Sequence, residues 1–185
     1  MTRTLILGGA RSGKSAHAEK LADASGKTVI YLATAQAHDD EMAARIDQHR
    51  QQRPATWTTV EEPLALGAAM LAHATPESLL LIDCLTVWLS NLLFADGLEF
   101  PEIGRIAAPP TFIAQRRFFL DALKQVPGDV VLVSNEVGMG IIPQGAITRW
   151  YIDEAGRLNQ TVAAQCERAV WVAAGLPLIL KDDAC

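Results

Sequence analysis

Several residue types and patterns are scarce in this 185-residue sequence, and each shortage removes a class of protein. The three cysteines, Cys84, Cys166 and Cys185, are too few and too far apart for a disulfide framework or a zinc site. Basic residues (16) are outnumbered by acidic ones (21), and the net charge of −5 argues against a nucleic acid as the main partner. Asp83, Asn91 and glycines interrupt the longest apolar runs, so we expect no transmembrane segment.

The start of the chain also lacks the features of a targeting signal. Met1, Thr2 and Arg3 lead directly into an apolar run, which leaves no room for a signal peptide. Unpaired cysteines are kept reduced in the cytoplasm. These features together predict a cytoplasmic protein with free thiols.

Apolar residues, by contrast, are plentiful. They make up 50% of the chain and charged residues 20%, which is the balance of a folded globular protein. A chain of this length suits one domain with a full hydrophobic core. We therefore predict a single domain over residues 1–185.

Short apolar runs alternate with segments of helical character along the whole chain. The predicted strands are residues 5–7, 27–33, 57–60, 78–84, 130–134, 169–174 and 178–181. The predicted helices are residues 16–24, 39–52, 64–74, 85–94, 111–125 and 147–168, the last with an irregularity near Gly156, and residues 95–110 are a predicted loop. Strands that alternate with helices imply a parallel sheet covered on both faces, so the predicted fold class is α/β.

The first strand leads into a glycine-rich turn that matches the pattern G-x4-G-K-[S/T]. Gly8, Gly13, Lys14 and Ser15 occupy its fixed positions. Glycines let the backbone point successive N–H groups at phosphate oxygens, and the following helix directs its N-terminus at the same anion. The lysine of this motif reaches the β- and γ-phosphates and the serine hydroxyl ligates Mg²⁺. This motif is the P-loop, and it predicts that the protein binds a nucleoside triphosphate.

Asp83 is the second candidate residue, because it ends the buried run of residues 79–82. In a P-loop protein an acidic residue at this place holds Mg²⁺ directly or through water. The carboxyl ends of the strands are also where open α/β sheets bind ligands. The alternative is an aspartate that only caps the following helix.

The predicted helix of residues 39–52 carries an unusual combination of side chains. Arg45, His49 and Arg53 recur at four-residue spacing and so follow one stripe. A neutral imidazole can attack phosphorus while arginines neutralise phosphate oxygens. The pattern alone leaves the alternative open that His49 is a half-buried packing residue beside Met42 and Ile46.

The loop Asn-Glu-Val-Gly-Met-Gly of residues 135–140 follows another buried strand and so lies at the same sheet edge. Its two glycines permit a ligand to approach the backbone closely. Glu136 is either a ligand-binding or basic carboxylate or a cap of the loop itself.

Several of these stretches resemble one family when they are taken together. They are GGARSGKS at 8–15, YLATA at 31–35, DDEMAARI at 39–46 with His49, RP at 53–54, WTTVEE at 57–62, DCLT at 83–86, NLL at 91–93, VSNEVGMGIIP at 133–143, GR at 156–157 and NQ at 159–160. Nearly the whole chain, except the loop at 95–110, resembles the bifunctional adenosylcobinamide kinase/adenosylcobinamide-phosphate guanylyltransferase family of cobalamin biosynthesis.

The resemblance implies a RecA-like P-loop NTPase fold with a mostly parallel central sheet and one antiparallel strand. It implies phosphorylation of adenosylcobinamide by ATP or GTP, and then transfer of GMP from GTP to that phosphate through a guanylylated histidine. The matching histidine is His49, and Lys14 serves the kinase step. Mg²⁺ is the implied metal, held by Ser15 and Asp83, and the implied assembly is a homotrimer.

The nucleotide contacts that the resemblance implies fall on five stretches of the chain. They are Gly8, Gly9, Ala10, Arg11, Ser12, Gly13, Lys14, Ser15, Ala33, Thr34, Ala35, Arg50, Gln51, Gln52, Arg53, Glu61 and Asp83. The adjacent Glu62 leaves open which of the two carboxylates contacts the nucleotide. Two other functions also remain open: a small-molecule kinase with one activity, in which His49 only packs, and a GTP-binding regulatory module without turnover.

Overall fold

The computed structural model of the protein describes residues 1–36 and 54–183. These residues form seven strands: β1 (Arg3–Gly8), β2 (Thr28–Ala33), β3 (Thr58–Glu61), β4 (Ser78–Asp83), β5 (Asp129–Asn135), β6 (Arg168–Ala173) and β7 (Leu176–Asp182). The same residues form five helices: α1 (Lys14–Ala24), α2 (Leu66–His73), α3 (Leu85–Phe94), α4 (Pro110–Gln125) and α5 (Ala146–Gln165).

All seven strands belong to one sheet with the order β3-β2-β4-β5-β1-β6-β7. The pairs from β3 to β6 are parallel, and β7 pairs with β6 in the antiparallel direction. The mostly parallel sheet with one antiparallel strand is therefore confirmed. The carboxyl ends of the six parallel strands all lie at one edge of the sheet, where an α/β protein binds its ligand.

The sheet separates two apolar cores, and successive residues of the central strands alternate between them. In β1, Leu5 and Leu7 face the larger core, while Ile6 faces the smaller one. The larger core contains side chains of α2, α3, α4 and α5, and the smaller core contains Ala18 and Ala22 of α1. Helices therefore cover both faces of the sheet. Continuously apolar strands predict this arrangement, because their side chains are buried on both faces.

The predicted long helix at residues 147–168 extends too far. Helix α5 ends at Gln165, and Cys166 adopts an extended conformation with its amide donating to Ala163 O at 3.3 Å. Arg168 already belongs to β6, where it pairs with Thr4 of β1 and forms an ion pair with Asp182 (Nη2–Oδ2 3.0 Å). Strand pairing overrides the helical pattern there. The helix also passes Gly156 without the predicted irregularity.

The connection of the last two strands is also shorter than predicted. Ala174 and Gly175 form a two-residue turn with φ of 51° and 77°, the left-handed conformations that a tight hairpin requires. Leu176 and Pro177, predicted to lie in the connection, belong to β7. Proline is tolerated there because β7 is an edge strand.

The other predicted elements within the described ranges agree with the structure to within a few residues, and α3 agrees at both ends. The predicted helix at 39–52, with His49, lies outside the described residues. None of the helices in residues 1–36 and 54–183 combines the length and the apolar character that a membrane crossing needs.

Candidate active site at the carboxyl edge of the sheet

The G-x4-G-K-S segment joins β1 to α1, as the motif requires. Strand β1 ends at Gly8 and helix α1 begins at Lys14, so residues 9–13 form the loop. Gly8 is needed for close approach, because a Cβ there would lie 2.5 Å from Ser12 Oγ and 2.5 Å from Val172 O. Gly13, with φ of 94°, turns the chain into the helix. The predicted phosphate-binding loop is therefore present as a strand–loop–helix unit.

Two neighbouring elements hold this loop in place. The amide of Glu136, after β5, donates to Gly8 O at 3.1 Å. The amide of Gly175, in the β6–β7 hairpin, donates to Ser12 O at 2.8 Å. Ser12 also donates its own amide to Gly9 O at 3.3 Å, and its buried hydroxyl has no hydrogen-bond partner among the described residues. Ser12 thus serves the loop through its backbone.

The two side chains with predicted phosphate and metal roles lie at the start of α1. Lys14 is buried, and its Nζ donates to Gly9 O at 3.2 Å, so the ammonium lies inside the curve of the loop. Ser15 is half-buried in the first turn of α1. Ala10 and Arg11 are exposed at the tip of the loop. This arrangement directs amide groups, a cation and a helix N-terminus at one anion.

Asp83 ends β4 at the same edge, two strands away from the P-loop because β5 lies between β4 and β1. Two strand spacings amount to roughly 10 Å. Asp83 Oδ2 accepts a hydrogen bond from Tyr31 Oη at 3.1 Å. Helix α3 has Cys84 as its N-cap and no side-chain capping bond, so the structure does not support the alternative in which Asp83 caps that helix.

Three predicted contacts form a row across adjacent strands at this edge. Glu61 pairs with Ala33, and Ala33 pairs with Asp83. Glu62 Oε1 accepts the amides of Leu64 at 3.0 Å and Ala65 at 2.7 Å, and so holds the turn that leads into α2. The geometry therefore favours Glu61 over Glu62 as the carboxylate that contacts the nucleotide. Glu62 has a structural role.

Thr34 was predicted to contact the nucleotide, but in the structure its side chain points into the protein. It is fully buried, and its Oγ1 accepts from Cys84 N and donates to Cys84 O, both at 2.9 Å. Its own amide donates to Asp83 O at 3.3 Å. Its carbonyl accepts from Asn91 Nδ2 at 2.8 Å. Thr34 therefore fixes the end of β4, beside Asp83.

Helix α3 ties together the connections that leave β2 and β3. Asn91 Nδ2 donates to Thr34 O and also to Pro63 O, at 3.2 Å. Trp88 Nε1 donates to Leu64 O at 2.9 Å. The helix that begins just after Asp83 thus sets the positions of the residues that follow Ala33 and Glu61.

This cluster gives a first prediction, on Thr34. Thr34→Val removes the hydroxyl and leaves the buried N–H of Cys84 without a partner, while the Cys84 carbonyl keeps the amide of Trp88 at 3.1 Å. The free energy of unfolding should therefore fall by about 2 kcal/mol. Thr34→Ser keeps the hydroxyl and is the matched control. Urea unfolding of the three proteins measures the effect. Equal midpoints for Thr34→Val and the original protein would refute the positioning role of this hydroxyl.

A second group of polar side chains lies between β4, β5 and α5, and none of them was predicted to have a role. Asn135 Nδ2 donates to Thr86 Oγ1 at 2.6 Å, and Thr86 Oγ1 is 3.2 Å from Cys84 Sγ. Tyr151 Oη donates to Thr86 O at 2.7 Å. Burial, with the Asp83 carboxylate beside it, raises the pKa of the Cys84 thiol, and burial raises the pKa of Tyr151. Both groups stay protonated and act as structural hydrogen-bonding groups.

Only a weak sequence pattern could have identified these residues. Tyr31, Thr86 and Asn135 are polar groups at or near the ends of apolar strands, which marks the binding edge of such a sheet. Their partners are 49 to 65 residues away in the chain, as for Asn135 with Thr86 and Tyr151 with Thr86. Glu136, by contrast, accepts the amide of Gly138 at Oε1 (3.0 Å), which confirms its loop-capping alternative.

Of the predicted site residues, the structure brings the P-loop, residues 33–35, Glu61 and Asp83 to one edge of the sheet. The predicted contacts Arg50, Gln51, Gln52 and Arg53, and the predicted catalytic His49, lie outside the described residues.

Two solved structures with a similar fold are named as ATPases. An ATPase from the type III secretion system of pathogenic bacteria superimposes with a TM-score of 0.58 at 11% sequence identity, covering 96% of this chain. This chain spans 56% of the length of that ATPase. The assembled ATPase EscN of enteropathogenic Escherichia coli gives a TM-score of 0.54 at 11% identity, over 94% of this chain and 43% of EscN. At such identities the similarity shows the fold alone, which is the RecA-like P-loop α/β fold.

Similarity in sequence is closer and extends over almost the entire chain. The bifunctional adenosylcobalamin biosynthesis protein CobP of Pseudomonas aeruginosa is 50% identical over 181 residues, 98% of each chain. The corresponding proteins named CobU are 42% identical in Escherichia coli and 43% in Salmonella typhimurium, each over 96% of this chain and 98% of the relative. The family model described as cobinamide kinase / cobinamide phosphate guanyltransferase matches residues 4–180. The P-loop, Glu61 and Asp83 lie within that match. The chain belongs to the cobinamide kinase / cobinamide phosphate guanyltransferase family.

Proposed function

We propose that the protein phosphorylates adenosylcobinamide with ATP or GTP and then transfers GMP from GTP to the new phosphate, giving adenosylcobinamide-GDP. The observation that carries the proposal is the family match over residues 4–180 together with an intact P-loop at the carboxyl edge of the sheet. Both reactions move a phosphorus group of a nucleoside triphosphate, so one nucleotide site can serve both.

In the kinase reaction the hydroxyl of the acceptor attacks the γ-phosphorus, and the nucleoside diphosphate leaves. Catalysis of this kind consists of positioning and charge neutralisation. The Lys14 ammonium, held inside the loop next to Gly9 O, is the cation placed to neutralise the β- and γ-phosphate oxygens. The backbone amides of residues 9–13 and the N-terminus of α1 supply the remaining favourable electrostatics.

Mg²⁺ fits the residues at this edge. The Ser15 hydroxyl and the Asp83 carboxylate are hard oxygen ligands, and Mg²⁺ is usually bound by one or two such groups with phosphates and water. No group of three or more His, Cys, Asp or Glu side chains within residues 1–36 and 54–183 could hold a metal ion alone. The ion would therefore depend on the nucleotide for its other ligands. When bound, it neutralises phosphate charge.

We propose His49 as the nucleophile of the guanylyl transfer. Its imidazole would attack the α-phosphorus of GTP and expel pyrophosphate, and the phosphate of the acceptor would then displace the histidine. A covalent intermediate divides a difficult displacement into two easier ones. Arg45 or Arg53 would stabilise the transition state. This assignment rests on the sequence pattern and the family resemblance.

The rest of the nucleotide site follows from the row Glu61–Ala33–Asp83. We propose that Ala33, Ala35 and Glu61 bind the part of GTP that lies beyond the phosphates, together with residues 50–53, and that the buried Thr34 holds this row in place. We assign this role to Glu61 and not to Glu62, because the Glu62 carboxylate binds the amides of Leu64 and Ala65 before α2.

We further propose a cytoplasmic homotrimer. Exposed apolar side chains on α4, Ile113 (56%) and Phe118 (44%), supply surface for subunit contacts. Four apolar side chains of the edge strand β7 are also more than half exposed: Leu176, Leu178, Ile179 and Leu180. Sedimentation at two concentrations would measure the mass of the assembly.

Product analysis tests the proposed function. The protein is incubated with adenosylcobinamide, Mg²⁺ and GTP, and the corrinoids are followed by mass spectrometry. We expect a mass gain of one phosphate, followed by a further gain of one GMP. Accumulation of the phosphate alone would support the kinase with one activity, and no change in the corrinoid would support the regulatory module.

A further inference from the structure

The loop after β5 displays three apolar side chains to solvent. Met139 is 79% exposed, Ile141 99% and Ile142 49%. We call these three residues the apolar rim. Burying a side chain of this size is worth about 1.5–3 kcal/mol, so a surface of three neighbours is suited to an apolar ligand.

The loop that carries the rim begins beside the nucleotide site. Strand β5 runs between the P-loop strand β1 and the Asp83 strand β4, and the rim begins four residues after β5 ends. The amide of Glu136 donates to Gly8 O, so the base of the loop touches the start of the P-loop. A molecule that covers this loop therefore reaches the edge of the sheet at which the P-loop would bind phosphate.

Contacts at both ends hold the loop that carries the rim. At its start, Glu136 Oε1 accepts the amide of Gly138, and Val137 packs against the larger core. At its end, the guanidinium of Arg149 donates to Gln144 O. The rim residues between these anchors have no place in either core of the described structure.

A shallow depression of about 260 Å³, lined by both polar and apolar groups, continues from the end of this loop. The polar side chains of its lining are Arg105, Arg149, Trp150 and the carboxylate of Asp153. The Ala146 amide, which donates to Glu102 O at 3.1 Å, joins its two sides. It is smaller than the roughly 300–1,000 Å³ of pockets that enclose a whole small molecule. It can take a side arm of a larger ligand, and its guanidinium groups can donate to carbonyl oxygens.

We infer that the apolar rim and this depression together bind the corrin macrocycle of the acceptor. The inference rests on the proposed function, which requires a cobinamide to bring its hydroxyl to the γ-phosphate. A corrin ring presents broad apolar faces, and its margin carries amide side arms with carbonyl oxygens. The apolar rim matches the ring face, and the arginines of the depression match the amides of the margin.

The position of the rim distinguishes it from an exposed apolar side chain elsewhere in the described residues. Leu71 is 44% exposed in the last turn of α2, a helix that runs from the end of β3 at the nucleotide edge back to the start of β4 at the opposite edge. Two variants therefore form a matched pair: Met139→Ser/Ile141→Ser removes two rim side chains, and Leu71→Ser removes an exposed apolar side chain away from the site.

Three measurements on each protein test the inference: KM for adenosylcobinamide in the kinase reaction, KM for GTP, and the mass of the assembly. We expect Met139→Ser/Ile141→Ser to raise the KM for adenosylcobinamide at least about tenfold, with the KM for GTP within about twofold of the original. Leu71→Ser should leave both constants unchanged. Arg105→Gln should raise the KM for the corrinoid by a smaller factor, because it removes donors and keeps the rim.

The possible failures are distinguishable. An unchanged KM for adenosylcobinamide in the rim variant overturns the inference and leaves the proposed function standing. A smaller assembly in the rim variant alone also overturns it, because the rim would then contact a second copy of the chain. If the original protein does not turn over adenosylcobinamide at all, the proposed function itself fails.

Discussion

Lys14→Ala should lower the rate of phosphoryl transfer to adenosylcobinamide at least about a hundredfold. The side chain is buried, and its ammonium lies against Gly9 O inside the loop, where the β- and γ-phosphates are expected. Charge that develops on those oxygens in the transition state would lose its closest cation. Initial rates with γ-labelled ATP, at saturating acceptor, measure the effect.

Lys20→Ala is the control for this substitution, because Lys20 is an exposed lysine of the same helix. It removes the same charge and should leave the kinase rate within about twofold of the original, since exposed charges contribute little. A thermal melt of both variants separates loss of activity from loss of folding. A folded Lys14→Ala protein with an undiminished kinase rate would contradict the assigned role of the P-loop.

His49→Ala should abolish the second reaction and spare the first. Without the nucleophile, formation of adenosylcobinamide-GDP should fall at least about a thousandfold, while adenosylcobinamide phosphate accumulates. Separation of the two corrinoid products over time measures both rates in one experiment. The kinase reaction is the internal standard, because the P-loop does not change.

His73→Ala is the control for His49→Ala. His73 is exposed in the last turn of α2, away from the nucleotide edge, and its loss should leave both rates unchanged. If His49→Ala still forms adenosylcobinamide-GDP at the original rate, the histidine is a packing residue and the proposed intermediate is wrong.

The parts of the site that could be predicted from sequence are those whose chemistry is local. The P-loop needs a strand, a glycine-rich turn and a helix within a dozen residues, and its pattern contains all three. Asp83 was recognisable because one carboxylate follows four buried aliphatic residues. Short-range patterns of this kind depend only on the backbone around them.

The parts that could not be predicted depend on contacts between distant segments. The hydrogen bonds of Thr34 to Cys84 and of Asn91 to Thr34 join residues that are 50 and 57 positions apart. The sequence therefore predicted Thr34 as a nucleotide contact, although all of its polar groups form hydrogen bonds within the protein. The early end of α5 has the same origin, because pairing of Arg168 with β1 is invisible to helical periodicity.

Mass spectrometry of the intact protein after incubation with GTP and Mg²⁺, followed by peptide mapping, tests the central claim most directly. The claim is that one P-loop domain carries a guanylylated histidine between its two reactions. We predict a mass gain of one GMP, located on the peptide that contains His49 and lost in acid, as expected for a phosphorus–nitrogen bond. GTP bound at the P-loop with no covalent GMP, or GMP on another residue, would contradict it.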